Sequence, residues 1–253
     1  NGMFALAIWD TKEQELFLAR DRLGKKPLYY TRLDGDLAFA SEIKALMTCD
    51  WFSRELRPDA IYDFFAYQYV PDPKTIFRDT YKLPPGHYAV ANRDGLAIES
   101  YWKPSFARSE VEAETALSEL AQLIEQSTQR RMIADVPLGA FLSGGIDSSG
   151  IVALMTQNSA NPITTCSIGF DQKEFNETEF ARLVATSLGS DHHEFTVTDK
   201  VADSLLDIVR YFDEPFADPS LVPTFFVSKL ARKKVTVALA GDGGDEVFAG
   251  YEK

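Results

Sequence analysis

The sequence predicts an α/β fold with an N-terminal α+β part, and two contrasting patterns lead to this prediction. The N-terminal part carries short aromatic and aliphatic runs separated by turn formers such as Asp34-Gly35, which is typical of antiparallel hairpins. From about Glu112 onward, long helical stretches alternate with short apolar runs, which is typical of a parallel sheet covered by helices on both faces. We therefore expect a boundary near Pro104 and two domains, 1–104 and 105–253.

Five runs in the N-terminal part have the composition of strands. They are 3–9, 15–20, 27–31, 37–41 and 87–91. Between the last two, Pro58 marks the start of a helix, because proline is favoured in the first helical turn. Three large apolar side chains then share one helical face: Ile61, Phe64 and Phe65. The prolines of the segment 69–73 end this helix, since proline cannot continue one.

Helices and strands alternate throughout the C-terminal part. The predicted helices are 111–131, 150–156, 177–188, 201–212 and 223–233, and the predicted strands are 137–142, 164–170, 193–197 and 235–240. Leu117, Leu120 and Ile124 recur at helical spacing and indicate the first of these helices. We expect the four strands to form one parallel sheet, because helices connect them.

Composition and charge exclude several classes of protein. An apolar content of 45% over 253 residues is normal for a folded core. No run approaches the roughly 20 apolar residues of a membrane span, and the N-terminal run lacks the pattern of a signal peptide, so we expect a cytoplasmic protein. The net charge of -12 disfavours nucleic acid as a partner. Cys49 and Cys166 show no metal-type spacing and are expected to be free thiols.

The first and last residues suggest a piece of a longer protein. Asn1 opens directly inside an apolar, strand-like run without any polar lead-in. The last residues follow a Gly- and Asp-rich segment of a kind that normally leads into more structure. We expect both termini to be cuts.

The run Ser143-Gly144-Gly145-Ile146-Asp147-Ser148-Ser149 directly follows an apolar strand. We expect a helix to begin near Ser148, with Ser148 as its cap. Two glycines let the backbone approach a ligand closely, and the N–H groups and positive dipole of a helix N-terminus attract phosphate oxygens. Three serine hydroxyls add donors. The run therefore indicates a cradle for phosphate groups; a Ser/Gly-rich turn that binds nothing is the alternative.

Asp147 distinguishes this run from the Walker-type loop, which places a lysine on the terminal phosphates. No lysine stands in the run. A carboxylate in the middle of a phosphate site is tolerable only when a cation lies between the two negative groups, and Mg²⁺ suits such oxygen ligands. We therefore expect Mg²⁺ at Asp147.

A second glycine-rich run, Ala240-Gly241-Asp242-Gly243-Gly244-Asp245-Glu246, follows another apolar strand. Its three carboxylates repel one another unless they converge on a cation or on a reacting ammonium group. Ligands of open α/β sheets bind at the carboxyl ends of the strands, where both glycine-rich runs are expected. The second run therefore predicts the other side of the same site; a solvated acidic turn is the alternative.

These runs give the sequence a resemblance to the glutamine-dependent asparagine synthetases. The run 143–149 matches the family motif Ser-Gly-Gly-x-Asp-Ser-Ser. The runs 20–30 and 39–46 resemble the later part of the family's glutaminase domain, and 83–87 resembles its linker. The resemblance covers essentially the whole chain.

The resemblance implies the fold of each part. Residues 1–104 would be the C-terminal portion of a class II glutamine amidotransferase domain plus the linker, with part of an N-terminal-nucleophile hydrolase sheet. Residues 105–253 would be a truncated ATP-pyrophosphatase synthetase domain with an adenine-nucleotide α-hydrolase-like, Rossmann-like parallel sheet. The family's nucleophilic cysteine is the first residue of the mature chain, whereas Asn1 stands first here. We therefore expect that nucleophile, the glutamine site and a downstream catalytic lysine outside this chain, which by itself would be inactive.

Individual residues receive roles from the same resemblance. Asp147 and Asp245 would bind Mg²⁺. Asp242 would take part in forming and consuming a β-aspartyl-AMP intermediate; many members carry glutamate there, so its action as general base is open. The residues that would bind ATP and its pyrophosphate are Leu142, Ser143, Gly144, Gly145, Asp147, Ser148, Ser149, Ile168, Ala240 and Gly241.

The implied activity is ATP-dependent conversion of aspartate to asparagine, with ammonia from glutamine in the intact protein. The partners would be these small molecules, with neither nucleic acid nor membrane, and a homodimer is left open. One alternative is a homologous amidotransferase for another carboxylate, serving polysaccharide or exosortase loci or forming a β-lactam. Another is a nucleotide-binding module without catalysis.

Two further segments have a composition that suggests a functional site. His192-His193 suggests metal binding, but adjacent residues of a strand point to opposite faces, so we expect structural roles for both. The segment 211–220 is rich in aromatic and acidic residues. It either faces the pocket of the acyl acceptor or packs as a loop.

Overall fold

The chain folds into two compact units. A computed structural model describes residues 2–106, 110–170, 178–197 and 201–251. The first unit comprises Asn1–Arg108 together with Val209–Asp218, and the second comprises Ser109–Ile208 and Pro219–Lys253. The first unit therefore includes a segment from far along the chain. None of the helices in the described ranges combines the length and the apolar character that crossing a membrane requires.

The first unit contains antiparallel strands and two helices over its described residues. The strands are β1 Ala5–Asp10, β2 Glu15–Arg20, β3 Tyr29–Leu33, β4 Asp36–Ala40, β5 Thr80–Lys82, β6 His87–Asn92 and β7 Gly95–Ser100, and the helices are α1 Ile43–Leu46 and α2 Pro58–Tyr67. They form one sheet in the order β1-β2-β6-β7 and another in the order β4-β3-β5. The predicted hairpins are confirmed. The elements β5, β7 and α1 were not predicted; β5 and α1 are too short to show a period.

The core of the first unit joins its two sheets. Leu18 of β2 and Ala89 of β6 pack with Leu28, Tyr30 of β3 and Leu83, and all five are buried. A second apolar cluster, with Ala60 of α2 at its centre, lies where that helix meets the following loop. Burial of these side chains is the main stabilising contribution in this unit.

The second unit alternates helices and strands. Its elements are α3 Ala113–Arg131, β8 Leu138–Phe141, α4 Ile146–Gln157, β9 Thr164–Phe170, α5 Thr178–Leu188, β10 Asp191–Val197, α6 Val201–Val209, α7 Leu221–Ala231, β11 Val237–Leu239 and α8 Gly244–Phe248. In the described part of this unit, the strands form a parallel sheet in the order β10-β9-β8-β11. The α/β prediction is therefore confirmed for this part of the chain.

Both faces of this sheet are covered. Ala140 and Leu142 pack with residues of α4 and α5 on one face. Phe141 and Cys166 lie in a separate apolar cluster with Ala231 of α7 on the other. Neighbouring residues of a strand point to opposite faces, so the two clusters flank the sheet.

Several predicted helix bounds differ from the structure, most at the start of α4 and the end of α6, and α7 spans Leu221–Ala231 rather than 223–233. Helix α4 begins at Ile146, earlier than expected, because Gly145 takes the extended N-cap conformation (φ -68°, ψ 163°) without a side chain. Ser148 therefore does not cap this helix. Helix α6 ends at Val209 rather than at residue 212, and the segment Val209–Asp218 belongs to the first unit.

Candidate functional site

In the loop between β8 and α4, the side chains of Ser143 and Ser148 form hydrogen bonds that join the two ends of the loop. Ser143 Oγ lies 2.9 Å from Ser148 Oγ. The backbone N–H of Gly145 donates to Ser143 Oγ at 3.3 Å, and Ser148 Oγ donates to the Gly145 carbonyl at 3.3 Å. The predicted phosphate cradle is thus a tight turn whose two ends are tied together. The first N–H groups of α4 have no intrahelical acceptor, so they are available to an anion.

Gly144 packs this loop against helix α5. Its φ is +88°, in the left-handed region that favours glycine. A β-carbon at this position would lie 2.5 Å from Phe180 Cβ and 2.6 Å from the backbone nitrogen of Ala181. No side chain fits there. The glycine is therefore required both by the backbone conformation and by the contact with the first turns of α5.

The second glycine-rich run lies directly beside the first. Strand β11 pairs in parallel with β8, with Leu239 opposite Ala140, so the two runs leave the same edge of the sheet. A β-carbon on Gly241 would lie 2.8 Å from the Ser148 backbone nitrogen, and one on Gly244 would lie 2.5 Å from Asp147 Oδ2. The structure thus brings together the two runs that the sequence predicted to share one edge.

The three carboxylates of the second run occupy different positions. Asp242 directly follows Gly241, and Asp245 lies in the first turn of α8. Glu246 accepts a hydrogen bond from the Tyr251 hydroxyl at 2.8 Å. The Asp245 carboxylate lies against Gly250, where a β-carbon would overlap it.

The residues predicted to line the adenosine end differ in exposure. Leu142 is 1% exposed and lies in the core, so it can offer only backbone groups to a nucleotide. Its N–H donates to the Cys166 carbonyl of β9 at 3.0 Å. Ile168 lies further along β9 and is partly exposed, as is Ala240 after β11. These positions lie on neighbouring strands of one sheet.

The residues at this edge suit Mg²⁺ held jointly with phosphate. Asp147 and Asp245 supply hard carboxylate oxygens from neighbouring runs. Over the described ranges, no three His, Cys, Asp or Glu side chains come together as a metal cage. Mg²⁺ usually takes one or two carboxylates and completes its shell with substrate phosphates and water. Ser149 Oγ is buried and has no hydrogen-bond partner among the described residues, so this loop also holds an unsatisfied polar group.

The two adjacent histidines have separate partners. His192 Nδ1 lies 2.8 Å from Thr165 Oγ1, whereas His193 Nε2 lies 3.2 Å from Asp191 Oδ2. Burial lowers the pKa of His192. His192 is thus hydrogen-bonded to β9, and His193 to a residue of its own strand.

The segment Val209–Asp218 packs as a loop of the first unit. Asp213 Oδ2 accepts the N–H of Ile43 at 2.5 Å, and Glu214 Oε2 accepts the N–H of Ile76 at 3.1 Å. Glu214 also pairs with Lys82. Sequence reasoning missed these two carboxylates as structural residues; their only signal was adjacent charge within an aromatic run.

This segment borders a cavity of about 390 Å³ in the first unit. The side chains of Tyr29, Tyr69 and Lys82 line it together with residues of the segment. Burial, with Glu214 and Asp213 close by, raises the pKa of Tyr29 to about 12. The phenol therefore stays protonated in the neutral range.

Two family profiles cover most of the chain. The asparagine synthase family matches residues 119–253, and the glutamine amidotransferase domain matches residues 1–102.

Individual relatives match both parts. A putative asparagine synthetase (glutamine-hydrolysing) of Mycobacterium tuberculosis is 42% identical over 99% of this chain and 40% of its own length. Asparagine synthetase (glutamine-hydrolysing) 1 of Bacillus subtilis is 38% identical, over 99% and 40% respectively. A putative asparagine synthetase of Methanocaldococcus jannaschii is 37% identical, over 99% and 50%. The chain spans 40 to 50% of the length of these relatives.

Proposed function

The chain belongs to the asparagine synthase family, and from this premise we propose that it is part of a glutamine-hydrolysing asparagine synthetase. Residues 105–253 would hold ATP, and residues 1–104 would belong to the domain that releases ammonia from glutamine, with a partial N-terminal-nucleophile hydrolase sheet. One observation carries the proposal: Asp147 of the serine-rich loop lies directly against Gly241 and Gly244 of the acidic run.

The proposed reaction activates a carboxylate by joining one of its oxygens to AMP, which then serves as the leaving group. A carboxylate oxygen of aspartate attacks the α-phosphorus of ATP, pyrophosphate departs, and ammonia then displaces AMP from the acyl carbon. The serine hydroxyls and the N-terminal N–H groups of α4 would bind the pyrophosphate oxygens as charge moves onto them. The hydrogen bonds between the loop ends hold the serine oxygens in place before substrate arrives, and Ser143 and Ser148 would each exchange an internal hydrogen bond for one to phosphate.

Asp147 and Asp245 would hold Mg²⁺ beside that pyrophosphate. The ion supplies neutralising charge for the phosphate oxygens when bound. Gly244 leaves the space in which the Asp147 carboxylate lies, since a β-carbon there would overlap it.

Asp242 would accept a proton from ammonia as it attacks. The attacking nitrogen becomes positively charged on forming the amide bond, and a carboxylate within reach is a suitable acceptor. Asp242 adjoins Gly241, whose backbone lies against the phosphate loop. This neighbourhood supports the assignment of Asp242 to the proposed active site.

The test is turnover by the full-length protein. We expect AMP and pyrophosphate to form only when aspartate is added, with glutamine or ammonia as nitrogen donor. The variants Asp147→Asn, Asp242→Asn and Asp245→Asn should each lose at least about a hundredfold in rate, the scale of losing a transition-state charge interaction. Asp191→Asn is the matched control, because Asp191 lies at the opposite end of a strand of the same sheet.

The other outcomes assign other functions. Turnover with a different carboxylate, but not with aspartate, would identify a homologous amidotransferase for another acid. ATP that binds and stays intact with every carboxylate in the panel would contradict the enzymatic proposal and favour a nucleotide-binding module.

A further inference from the structure

A polar network lies on the sheet that carries the phosphate loop. At its buried end, His192 of β10 lies 2.8 Å from Thr165 Oγ1 and 3.4 Å from Ser167 Oγ of β9. Both hydroxyl-bearing residues are buried. Burial lowers the pKa of His192 below its ordinary 6.5, so at pH 7 the ring is neutral, with one nitrogen that donates and one that accepts.

Glu194 connects this histidine to helix α5. Its carboxylate oxygen Oε1 lies 3.5 Å from His192 Nε2. The same carboxylate receives two hydrogen bonds from Arg182 of α5, from Nε at 2.8 Å and from Nη2 at 2.6 Å. A bidentate pair of this kind fixes orientation as well as distance. Glu194 therefore joins β10 to one defined position on α5.

Arg182 follows immediately after the residues of α5 that contact the phosphate loop. The Gly144 turn lies against Phe180 and Ala181, with no room for a β-carbon between them. Ala181 and Ala185 bury the inner face of α5. Val184 and Leu188 add apolar contacts to the same core. The ion pair with Glu194 adds a directional contact at the residue next to Ala181.

We propose that Arg182 and Glu194 are positioning residues for the phosphate loop. Neither belongs to the two glycine-rich runs. Their bidentate pair fixes the first turns of α5 at the place where they support the left-handed turn at Gly144. The N–H groups and serine hydroxyls of the loop are thereby kept in the geometry that pyrophosphate requires. This inference rests on the proposed function of the loop as the pyrophosphate site.

A charge swap in the full-length protein tests the pair. Arg182→Glu and Glu194→Arg each replace an attraction by a repulsion, and the double variant restores an attraction with reversed polarity. Arg182 is 60% exposed, so the single variants should raise KM for ATP by only about three- to fivefold, the range of an exposed ion pair. We expect kcat to change less than KM, glutamine hydrolysis to stay unchanged, and the double variant to recover most of the loss.

A control separates positioning from general damage. Glu119→Arg reverses a charge on an exposed position of α3 and should leave KM for ATP unchanged. An unchanged KM in both single variants, or a double variant worse than either, overturns the proposal. So does a loss of glutamine hydrolysis that parallels the rise in KM, since it would indicate general instability.

Amide hydrogen exchange keeps this test independent of the proposed function. Exchange in residues 143–149 should quicken in each single variant, relative to the rest of the second unit, and return to the wild-type rate in the swap. If wild-type protein neither binds nor cleaves ATP, the proposed function fails, while exchange in the loop still reports whether the pair supports it. If the exchange rate of residues 143–149 is the same in the wild type, the single variants and the double variant, the positioning role is contradicted.

Discussion

Lys82 and Glu214 form an ion pair in which both side chains are nearly buried, at 10% and 13% exposed. Lys82 ends strand β5, and its Nζ also donates to the Val70 carbonyl at 2.5 Å. Glu214 lies in the segment Val209–Asp218, whose neighbours in sequence on both sides belong to the second unit. The pair therefore secures to the first unit a segment that the chain supplies from elsewhere.

Replacing Lys82 by methionine should destabilise the first unit strongly. Glu214 and Asp72 would lose the ammonium group beside them, and removing one partner of a buried pair costs about 3–5 kcal/mol. Urea unfolding of the chain measures the change. Arg78→Gln is the control, because Arg78 and Glu55 are 53% and 55% exposed, and such pairs contribute at most about 1 kcal/mol. Equal losses in the two variants would contradict this account.

The stability of the first unit should fall as pH rises above the ordinary pKa of glutamate, 4.5. Burial raises the pKa of Glu214, against the opposing effect of Lys82. Between 4.5 and the raised value, the folded chain therefore binds more protons than the unfolded chain, and the free energy of unfolding decreases with pH. Glu214→Gln should remove this decrease. Denaturant unfolding at a series of pH values in both proteins measures it; the same slope in both would exclude Glu214 as its cause.

Gly144→Ala should abolish tight ATP binding and lower stability. Its β-carbon would meet Phe180 Cβ at 2.5 Å, and its φ of +88° is strained for alanine. We expect a loss of more than about 1 kcal/mol in unfolding free energy. Gly150→Ala is the matched control within α4, because nothing lies within 4 Å of its β-carbon. It should stabilise the helix by about 0.5–1 kcal/mol. Calorimetric titration with ATP completes the comparison.

Gly244→Ala should weaken Mg²⁺-dependent binding of ATP while leaving the fold intact. Its β-carbon would overlap the Asp147 carboxylate, which is the mobile end of a side chain and can turn aside. The carboxylate then no longer lies where it would bind the ion. A titration of ATP binding against Mg²⁺ should shift to higher metal concentration, with an unchanged unfolding midpoint. No shift would mean that Asp147 does not bind Mg²⁺ from this position.

The sequence was sufficient for the parts of the fold that repeat a local pattern. The apolar runs that became β8, β9, β10 and β11 alternate with helices, and that alternation predicts a parallel sheet. The two glycine-rich runs follow β8 and β11, so their meeting at one edge was also predictable. The sequence did not reveal that these strands are neighbours, because strand order depends on packing between distant segments.

Features that depend on distant partners escaped prediction. Gly145 caps α4 by its backbone alone, so no side-chain signal marked the helix start. Asp213 and Glu214 accept hydrogen bonds from the backbone N–H groups of Ile43 and Ile76. These partners lie far away in the sequence, so no local pattern indicated them. The role of Gly144 in seating the loop on α5 depends on a contact that the motif does not encode.

The placement of Val209–Asp218 has a practical consequence for dividing the protein. No single cut in the gene separates the two units. A piece that ends at Arg108 contains most of the first unit but lacks the segment Val209–Asp218. Such a piece would expose the amides of Ile43 and Ile76 and leave Lys82 without Glu214. The complementary piece would carry the segment Val209–Asp218 without the residues of the first unit on which it packs. Expressing the first unit alone therefore calls for adding the segment back, either fused after residue 108 or supplied as a peptide.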